Sequence, residues 1–287
     1  MNFIKKYLNI ISMSLSMLFL FSGCAGDINV LNQKTQSPQL RVHYIDIGQG
    51  DSELIQVNGK NLLIDAGPND SKDKLLSYLS GQGIKKLDYV IATHPDEDHI
   101  GGMSSVIKKY NIHKFYAPKK TSNTRTFESM ITALKRKNMK INVPSPHATE
   151  LNLGKNTTAE VLAPNSTDYE DTNNYSVVLK IAYGNTKFLF TGDAENESER
   201  EMIDKNYDLS ADVLKVGHHG SSGSTSEEFL NEVNPKVAVI SCGKNNKYGH
   251  PTKKTINKLK KKGIQIYRTD IDGTILLTSD GSKIAKE

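Results

Sequence analysis

The chain has 287 residues, a formal net charge of +5 and 37% hydrophobic residues. This length can bury the core of one large domain or two small ones, and no internal linker rich in Pro, Gly or Ser divides it. The net charge is too small to indicate a polyanionic partner by itself.

The first 23 residues have the pattern of a secretory signal. Lys5 and Lys6 form a short positive region, and residues 10–21 are almost wholly apolar. Because this run ends in small residues and is shorter than the roughly 20 residues of a membrane helix, it favours a cleaved signal over a membrane span.

The sequence that ends at Cys24 resembles the lipobox of bacterial lipoproteins, with Phe21 where Leu is usual. It predicts a lipoprotein signal over 1–23, a lipid anchor on Cys24 and a flexible polar tether over 24–39. The mature protein would then lie on the outer face of the bacterial cell membrane. Ordinary cleavage nearby, with an incidental Cys24, is the alternative. If Cys24 carries lipid, Cys242 has no partner for an intramolecular disulfide.

The remainder, residues 40–287, alternates between short apolar runs and amphipathic segments. Strand patterns occur at 40–45, 52–57, 61–64, 87–92, 151–153, 159–162, 177–183, 187–190, 213–216, 237–240, 265–267 and 274–277. Helical spacing occurs at 71–80, 103–110, 126–138, 197–205, 227–233 and 255–262. This order predicts an α/β fold with two sheets and helices outside them.

Four candidate metal ligands lie within six residues, directly after the apolar run 87–92 and before two glycines: His94, Asp96, Asp98 and His99. A tight loop at the end of a buried strand can aim all four side chains inward. The alternative is a chance cluster on a solvated face, which the preceding apolar strand and the two following glycines argue against. Ligand type and spacing therefore predict a metal site.

Two later strands end in the same way. Asp193 follows 187–190, and His218 with His219 follows 213–216. One Gly-Asp turn would be weak support, because such turns are common. Three strand ends that each carry potential ligands indicate a single site to which all three contribute.

These motifs resemble the metallo-β-lactamase superfamily, and within it the hydrolase domain of the competence protein ComEC and its free-standing relatives. The other matching motifs are 46–52, 63–67, 173–179 and 248–251, so the resemblance runs from about residue 43 to about residue 273. It implies a four-layer αββα sandwich with the site along one edge, between the two sheets.

The resemblance also implies a pair of divalent ions and assigns them six ligands: His94, Asp96, Asp98, His99, Asp193 and His218. In this assignment Asp193 bridges the two ions. Asn173 stands about where many relatives place a further metal-binding histidine, so one ligand is weaker or missing.

Asp96 replaces the second histidine of the commonest superfamily pattern, His-x-His-x-Asp-His. The replacement removes an imidazole and adds a hard, anionic oxygen ligand, which favours manganese, or magnesium, over zinc. The three remaining imidazoles still suit zinc, so we expect manganese or zinc, with magnesium also compatible.

Several neighbouring residues are candidates for supporting roles. Asp98 would orient the attacking water as well as bind metal. His219 would contact the substrate's phosphate or protonate the leaving group, or else support His218. Further residues are expected to bind substrate or to hold the ligands in place: Asp51, Asp65, Asn173, Ser221, Ser222 and His250.

Together these features predict an exported hydrolase that cleaves DNA or another phosphodiester with a hydroxide activated by two metal ions. The alternatives are an amide or ester hydrolase acting on a β-lactam or lactone, and a non-catalytic lipoprotein that binds DNA or a protein partner. The Asp96 replacement argues against a zinc β-lactamase, and the intact ligand set argues against a lost activity.

Two basic segments, 253–262 and 135–137, could attract a polyanion or simply be solvated faces. The chain has no Trp, and aromatic residues do not alternate with basic ones in these segments. The sequence therefore argues against a dedicated platform for stacking single-stranded bases.

Overall fold

The computed structural model describes residues 40–149 and 151–287. The predicted lipoprotein signal, the Cys24 anchor and the tether lie outside the described residues. In the described part of the chain, no helix is long and apolar enough to cross a membrane.

In residues 40–149 and 151–287, the first sheet has eight strands in the order β14-β13-β1-β2-β3-β4-β5-β6. Its strands are β1 (Leu40–Tyr44), β2 (Glu53–Val57), β3 (Lys60–Ile64), β4 (Lys86–Ile91), β5 (Asn111–Tyr116), β6 (Ile141–Asn142), β13 (Ile275–Ser279) and β14 (Ile284–Lys286). Strands β3 to β6 run parallel to one another, and the other pairs in this sheet, including β2 with β3, are antiparallel.

The second sheet has the order β12-β11-β10-β9-β8-β7. Its strands are β7 (Thr157–Ala163), β8 (Val178–Tyr183), β9 (Thr186–Phe190), β10 (Val213–Lys215), β11 (Val237–Ile240) and β12 (Gln265–Arg268). Strands β9 to β12 are parallel, so their carboxyl ends lie along one edge of the sheet.

The helices form the two outer layers. They are α1 (Lys72–Gly81), α2 (Glu97–Ile100), α3 (Met103–Lys109), α4 (Arg125–Arg136), α5 (Asn196–Asp204), α6 (Glu227–Val233), α7 (Lys253–Lys261) and α8 (Thr269–Asp272). Apolar side chains of α1, α3 and α4 pack on the first sheet, and those of α5, α6 and α7 pack on the second. A third cluster, which includes Val42, Ile55, Phe188 and Val213, fills the space between the sheets. The predicted αββα sandwich is confirmed.

The sequence missed β5, β6 and β14, and one predicted strand is absent. In β5 three exposed polar residues interrupt the apolar pattern, so the run does not alternate. Residues 151–153 were predicted as a strand because Leu151 and Leu153 are apolar, and both are indeed buried. The backbone of Asn152 between them bonds to the Tyr89 hydroxyl instead of to a neighbouring strand.

Candidate metal centre

Hydrogen bonds to a buried side chain hold the loop after β4 in place. The Asp65 carboxylate accepts hydrogen bonds from the backbone nitrogen and the hydroxyl of Thr93, at 2.8 and 2.6 Å. Close backbone packing then requires glycine nearby: Gly50 has a positive φ, and a Cβ there would lie 2.2 Å from the Asp98 carbonyl oxygen. That contact lets the Asp51 nitrogen donate to the same carbonyl. Gly50, in the loop between β1 and β2, therefore has a structural role.

The loops after β9 and β10 bring ligands from the second sheet. The Asp193 nitrogen donates to the Ser176 hydroxyl at 3.1 Å, which holds its buried carboxylate near the β4 loop. His218 and His219 both have left-handed backbone conformations, with φ of 46° and 53°. This tight turn buries the second imidazole and leaves the first partly exposed.

Three imidazoles and two carboxylates converge where these loops meet. The Oδ2 atom of Asp193 lies 3.3 Å from Nε2 of His99 and 3.3 Å from Nε2 of His219. Nε2 of His219 is also 3.3 Å from Oδ2 of Asp98. Two atoms that bind one ion at about 2.0–2.2 Å can be at most about 4.4 Å apart, so these distances allow shared ions. In the described residues, the possible metal-binding groups at this edge are His94/His99/Asp193, Asp98/His99/His219, Asp51/Asp193/His219 and Asp51/Asp65/His99.

The imidazoles are oriented as metal ligands usually are. Nδ1 of His99 donates to Asp65 at 2.7 Å, and Nδ1 of His219 donates to the Ser241 carbonyl at 2.9 Å. Nδ1 of His94 lies 3.1 Å from the Thr93 hydroxyl. An imidazole that donates through Nδ1 presents the lone pair of Nε2, and such outer hydrogen bonds fix metal-binding histidines in place.

The inward-facing atoms have no hydrogen-bond partner among the described residues. They are Nε2 of His94, Nε2 of His99, Nε2 of His219 and Oδ1 of Asp193, all buried. Buried polar atoms are nearly always partnered, because an unmet one costs about 1–3 kcal/mol. Divalent cations would satisfy all four atoms at once, so the residues present fit a metal centre.

The charge balance leads to the same conclusion. The carboxylates of Asp51, Asp65 and Asp193 are buried, and Lys215 is a buried cation that contacts Asp51. Burial alone lowers the pKa of His99 and of His219, but Asp193 and the other nearby carboxylates raise both well above the usual range. The cluster therefore attracts positive charge, and metal ions are a source of it.

The two adjacent histidines lie at different depths beside the metal centre. The sequence predicts His218 as a metal ligand and His219 as a catalytic or supporting residue, and in the structure it is His219 that joins the ligand groups. The His218 side chain is 26% exposed, and its Nδ1 donates to Glu195 at 2.9 Å. Its Nε2 lies 3.7 Å from Oδ2 of Asp193, within the reach of a shared ion, but His218 is in none of the groups of three ligands found among the described residues. The left-handed backbone conformations of His218 and His219 cause this difference in burial, and no sequence pattern predicts them.

Asp96 and Asn173 lie at the margin of the centre. The Asp96 side chain is 49% exposed, and its Oδ2 is 3.8 Å from Nε2 of His94, within the reach of a shared ion. Burial raises its pKa. Asn173, expected near the position of a further ligand, donates to Glu195 at 3.3 Å and lies 3.4 Å from Nδ1 of His218. It therefore supports the Glu195–His218 pair.

Asp65 occupies the expected orienting position beneath His99. Asp51 was expected to line the substrate site, but its side chain is buried beneath the centre. There it bonds to Lys215 and lies 3.2 Å from Nδ1 of His219. Lys215 and Glu195 were missed by the sequence reasoning. A signal for Lys215 was present, since it is the charged residue in an apolar strand that leads directly to the two histidines.

The remaining candidates lie around the rim. The Ser221 hydroxyl accepts a hydrogen bond from the Gly223 nitrogen, so it shapes the loop. Ser222 borders a cavity of about 580 Å³ together with Lys254, Lys258 and Lys261 of α7. The His250 ring packs edge-on against His218, with centroids 5.3 Å apart. His250 therefore lies beside the centre, whereas Ser222 borders the basic cavity next to the histidine loop.

Comparison with known proteins agrees with this geometry. The family profile described as the metallo-beta-lactamase superfamily matches residues 45–244. The chain is 35% identical to ComE operon protein 3 of Bacillus subtilis over 283 residues, which cover 91% of this chain and 36% of that protein. It is 30% identical to Recombination protein 2 of Haemophilus influenzae over 86% of this chain and 30% of that protein. The chain thus spans about a third of the length of these relatives.

Solved structures show the same fold at low sequence identity. YhfI, a metallo-beta-lactamase fold protein from Bacillus subtilis, aligns with a TM-score of 0.55 at 15% identity, over 86% of this chain and 100% of that one. Tm1679, a metal-dependent hydrolase of the beta-lactamase superfamily, aligns with a TM-score of 0.54 at 16% identity, over 84% and 100%. With the family profile matching well over half of its length, the chain belongs to the metallo-beta-lactamase superfamily, a family of metal-dependent hydrolases, and has competence proteins among its relatives.

Proposed function

We propose that the protein is a metal-dependent phosphodiesterase that cleaves DNA or another phosphodiester. The observation that carries the proposal is that the Asp193 carboxylate belongs to two neighbouring ligand groups, one with His94 and His99 and another with Asp51 and His219. Shared ligands suit two ions held close together. Pairs of divalent ions about 3.5–4 Å apart are typical of enzymes that displace a phosphate ester in line.

The ions would be held by His94, His99, His219, Asp98 and Asp193, with Asp96 within reach. Bound there, they supply Lewis acidity and a water nucleophile that is active at neutral pH. Asp98 has a partly exposed side chain and lines a cavity open to solvent, so its carboxylate can orient the attacking water. His218, held by Glu195, takes over the leaving-group role expected for His219.

The surface beside the centre favours a polyanion. Helix α7 is tied to the histidine loop, because Thr252 nitrogen donates to the Gly220 carbonyl and the Thr255 hydroxyl donates to the Ser221 carbonyl. Its lysines 254, 258 and 261 face the cavity that Ser222 also borders. A phosphodiester polymer held at the metals would therefore meet several positive charges within a short distance.

The relatives support a nucleic-acid substrate through their names alone. ComE operon protein 3 and Competence protein ComA are named for competence, and Recombination protein 2 for recombination. Because this chain matches only about a third of each, DNA as the substrate is part of the proposal.

A substrate panel tests the proposal. The purified protein, stripped of metal, is supplied with manganese, magnesium or zinc and given single-stranded DNA, double-stranded DNA, a small phosphodiester and a chromogenic β-lactam. We expect metal to restore cleavage of DNA or the phosphodiester, and Asp98→Ala to abolish it. Hydrolysis of the lactam alone would instead indicate the amide or ester hydrolase. Metal binding with no turnover of any substrate would indicate a binding protein.

The metal preference follows from a mixed ligand set. Three imidazoles suit zinc, whereas the carboxylates of Asp96, Asp98 and Asp193 suit manganese or magnesium. We propose manganese or zinc as the native metal, and manganese if Asp96 is a ligand. Asp96→His should then move the preference towards zinc, as read from metal titrations of the two proteins. An unchanged metal preference would mean that Asp96 does not determine which metal binds.

We also propose that the protein is exported as a lipoprotein, a proposal that rests on the sequence around Cys24. Cell fractionation tests it: Cys24→Ala should release the protein from membranes, and Cys242→Ala should not. Continued membrane retention of the Cys24 variant would contradict lipidation.

A further inference from the structure

Tyr248 is an exposed aromatic residue at the border of the metal centre. The residue is 55% exposed, which places it among the few large hydrophobic residues in the described part of the chain that face solvent. Tyr248 lines a cavity of about 360 Å³, and Asp98 lines the same cavity. A substrate held at the centre can therefore reach the tyrosine without crossing another part of the surface.

The loop that carries Tyr248 is held in place by one side chain. The Asn246 amide oxygen accepts hydrogen bonds from the backbone nitrogens of Tyr248 and His250, at 3.2 and 3.0 Å. The Asn246 amide nitrogen donates to the carbonyl oxygens of Gly243 and His250. The backbone of the loop is thus ordered before a ligand arrives, which lowers the entropy cost of binding.

The tyrosine ring is supported from the side of the centre. Its plane is 25° from that of the His250 ring, with centroids 5.9 Å apart, and His250 in turn contacts His218. The ammonium group of Lys247 lies 5.1 Å from the centroid of the tyrosine ring. The result is a series of aromatic rings that leads from the surface to the metal centre, with a cation at its outer end.

We propose that Tyr248 stacks on an unpaired nucleobase next to the scissile phosphodiester. This inference rests on the proposed function and names its substrate class as a nucleic acid with unstacked bases. In a duplex both faces of a base are already covered, so an exposed ring of this kind binds single strands, ends or loops. The sequence argued against such a platform because basic and aromatic residues do not alternate, but a single Lys-Tyr pair is enough when the fold places it at the site.

The chemistry of the cavity favours a base over a phosphate. Its wall includes three acidic residues, Asp70, Glu97 and Asp98, against one basic residue, Lys247. The acidic groups repel phosphate oxygens but can accept hydrogen bonds from the exocyclic amino groups of bases. The phosphates of a bound strand would instead lie at the metals and at the α7 lysines.

Matched oligonucleotides and variants provide the test. A labelled single strand and an abasic strand of the same length carry the same phosphates, and only the first has bases. Their binding to the full-length, metal-loaded protein is measured by fluorescence anisotropy, with phosphorothioate linkages in both strands so that cleavage does not interfere. We expect the base-bearing strand to bind more tightly, and Tyr248→Ala to weaken its binding about 5- to 150-fold, the range for loss of one stacking aromatic.

Two controls separate stacking from other effects. Tyr248→Phe keeps the ring and should retain binding within about twofold, because stacking does not need the hydroxyl. Ile271→Ala removes another exposed apolar side chain, 70% exposed, and should change nothing. Binding of the abasic strand should be the same in all variants. If the wild-type surface binds both strands equally, or if Tyr248→Ala weakens both alike, the stacking inference is wrong.

The binding assay does not depend on turnover. A protein that cleaves a small phosphodiester but shows no preference for bases would retain the proposed function and lose this inference. A protein that prefers bases through Tyr248 but cleaves nothing would support the stacking role of Tyr248 and contradict the proposed hydrolase activity. The two failures are therefore distinguishable.

Discussion

Polar residues lie at both ends of the parallel strands β9 to β11. At one end they have hydrogen-bond partners, and at the other some of their atoms have none among the described residues. At their amino ends the polar groups satisfy one another: Asp212 accepts a hydrogen bond from the Lys187 nitrogen at 3.0 Å and pairs with Lys236 at 2.9 Å. At their carboxyl ends Asp193 and His219 are more deeply buried, yet each has an inward-facing atom with no hydrogen-bond partner.

Polar groups that satisfy one another stabilise the fold, whereas buried polar groups without a partner are suited to bind a ligand. A satisfied pair at the surface contributes about 0–1 kcal/mol and needs nothing else. A buried cluster with unmet atoms costs stability, and the surrounding fold must hold it in place. We therefore expect changes at the carboxyl ends to affect metal binding and activity, and changes at the amino ends to affect only stability.

Asp193→Asn should have the largest effect. The carboxylate is shared between ligand groups, and the amide keeps its shape but removes its charge. Changes to residues that merely support metal ligands already cost about 10- to 100-fold in metal affinity, so we expect a loss of at least about 100-fold. Isothermal titration calorimetry with manganese and zinc measures it. An affinity like that of the wild type would contradict the proposed centre.

The adjacent histidines provide the next test. His219→Ala should lower metal affinity by about 100-fold or more, because Nε2 of His219 faces Asp98 and Asp193. His218→Ala should leave metal affinity nearly unchanged and lower kcat by about 10²-fold or more, as expected for loss of a general acid. The reverse pattern would restore the sequence-based assignment of His218 as the ligand.

The strand-end logic explains what the sequence could predict. His94, Asp98, His99 and Asp193 each follow an apolar strand, and parallel strands in two facing sheets must bring such residues to one edge. The choice between His218 and His219 depends instead on two backbone dihedral angles. Residue type does not determine those angles, because histidine rarely adopts a left-handed conformation and the surrounding loop imposes it.

The fold was predictable where the hydrophobic pattern was regular. Helix α7 was placed correctly because its buried positions recur at helical spacing, and strand β4 because residues 87–91 form one continuous buried run. Strand β5 was missed because it depends on pairing with β4, a long-range contact that a local pattern does not contain. Tyr248 was missed as a site residue for the same reason, since only the folded chain places residue 248 beside Asp98.

Asp65→Asn should have an intermediate effect at the carboxyl-end site. The change weakens the hydrogen bond to Nδ1 of His99 and removes the charge that holds this imidazole. We expect metal affinity to fall about 10- to 100-fold, without loss of the fold. Circular dichroism and metal titration of the same sample distinguish a weakened ligand from a misfolded protein.

The α7 lysines should matter less, and only for long substrates. Lys254→Ala with Lys261→Ala should reduce the slope of log affinity against log salt by about 1.4 for single-stranded DNA, since two phosphate contacts are lost. Lys135→Ala with Arg136→Ala removes the same charge from exposed positions at the end of α4 and should leave the slope unchanged. Equal effects of the two pairs would mean that only net charge attracts DNA.

Asp208→Asn, at the amino ends of the strands, should have the smallest effect, and its pH dependence identifies its origin. Burial raises the pKa of the Asp208 carboxyl, but hydrogen bonds from Lys180 and Ser210 outweigh this and hold the pKa below its usual range. A lowered pKa stabilises the fold above the unfolded value of about 4, and the gain disappears as the pH falls further. Because the side chain is 64% exposed, solvent limits that gain to about 0–1 kcal/mol at pH 7.

Urea unfolding at several pH values measures this contribution. The variant should be slightly less stable than the wild type at pH 7, and the difference should shrink as the pH falls below about 4. Metal affinity and activity should match the wild type at every pH at which both are folded. A loss of metal affinity in this variant would mean that the two ends of the strands are coupled, and the separation between fold-holding and ligand-binding polar groups would then not hold.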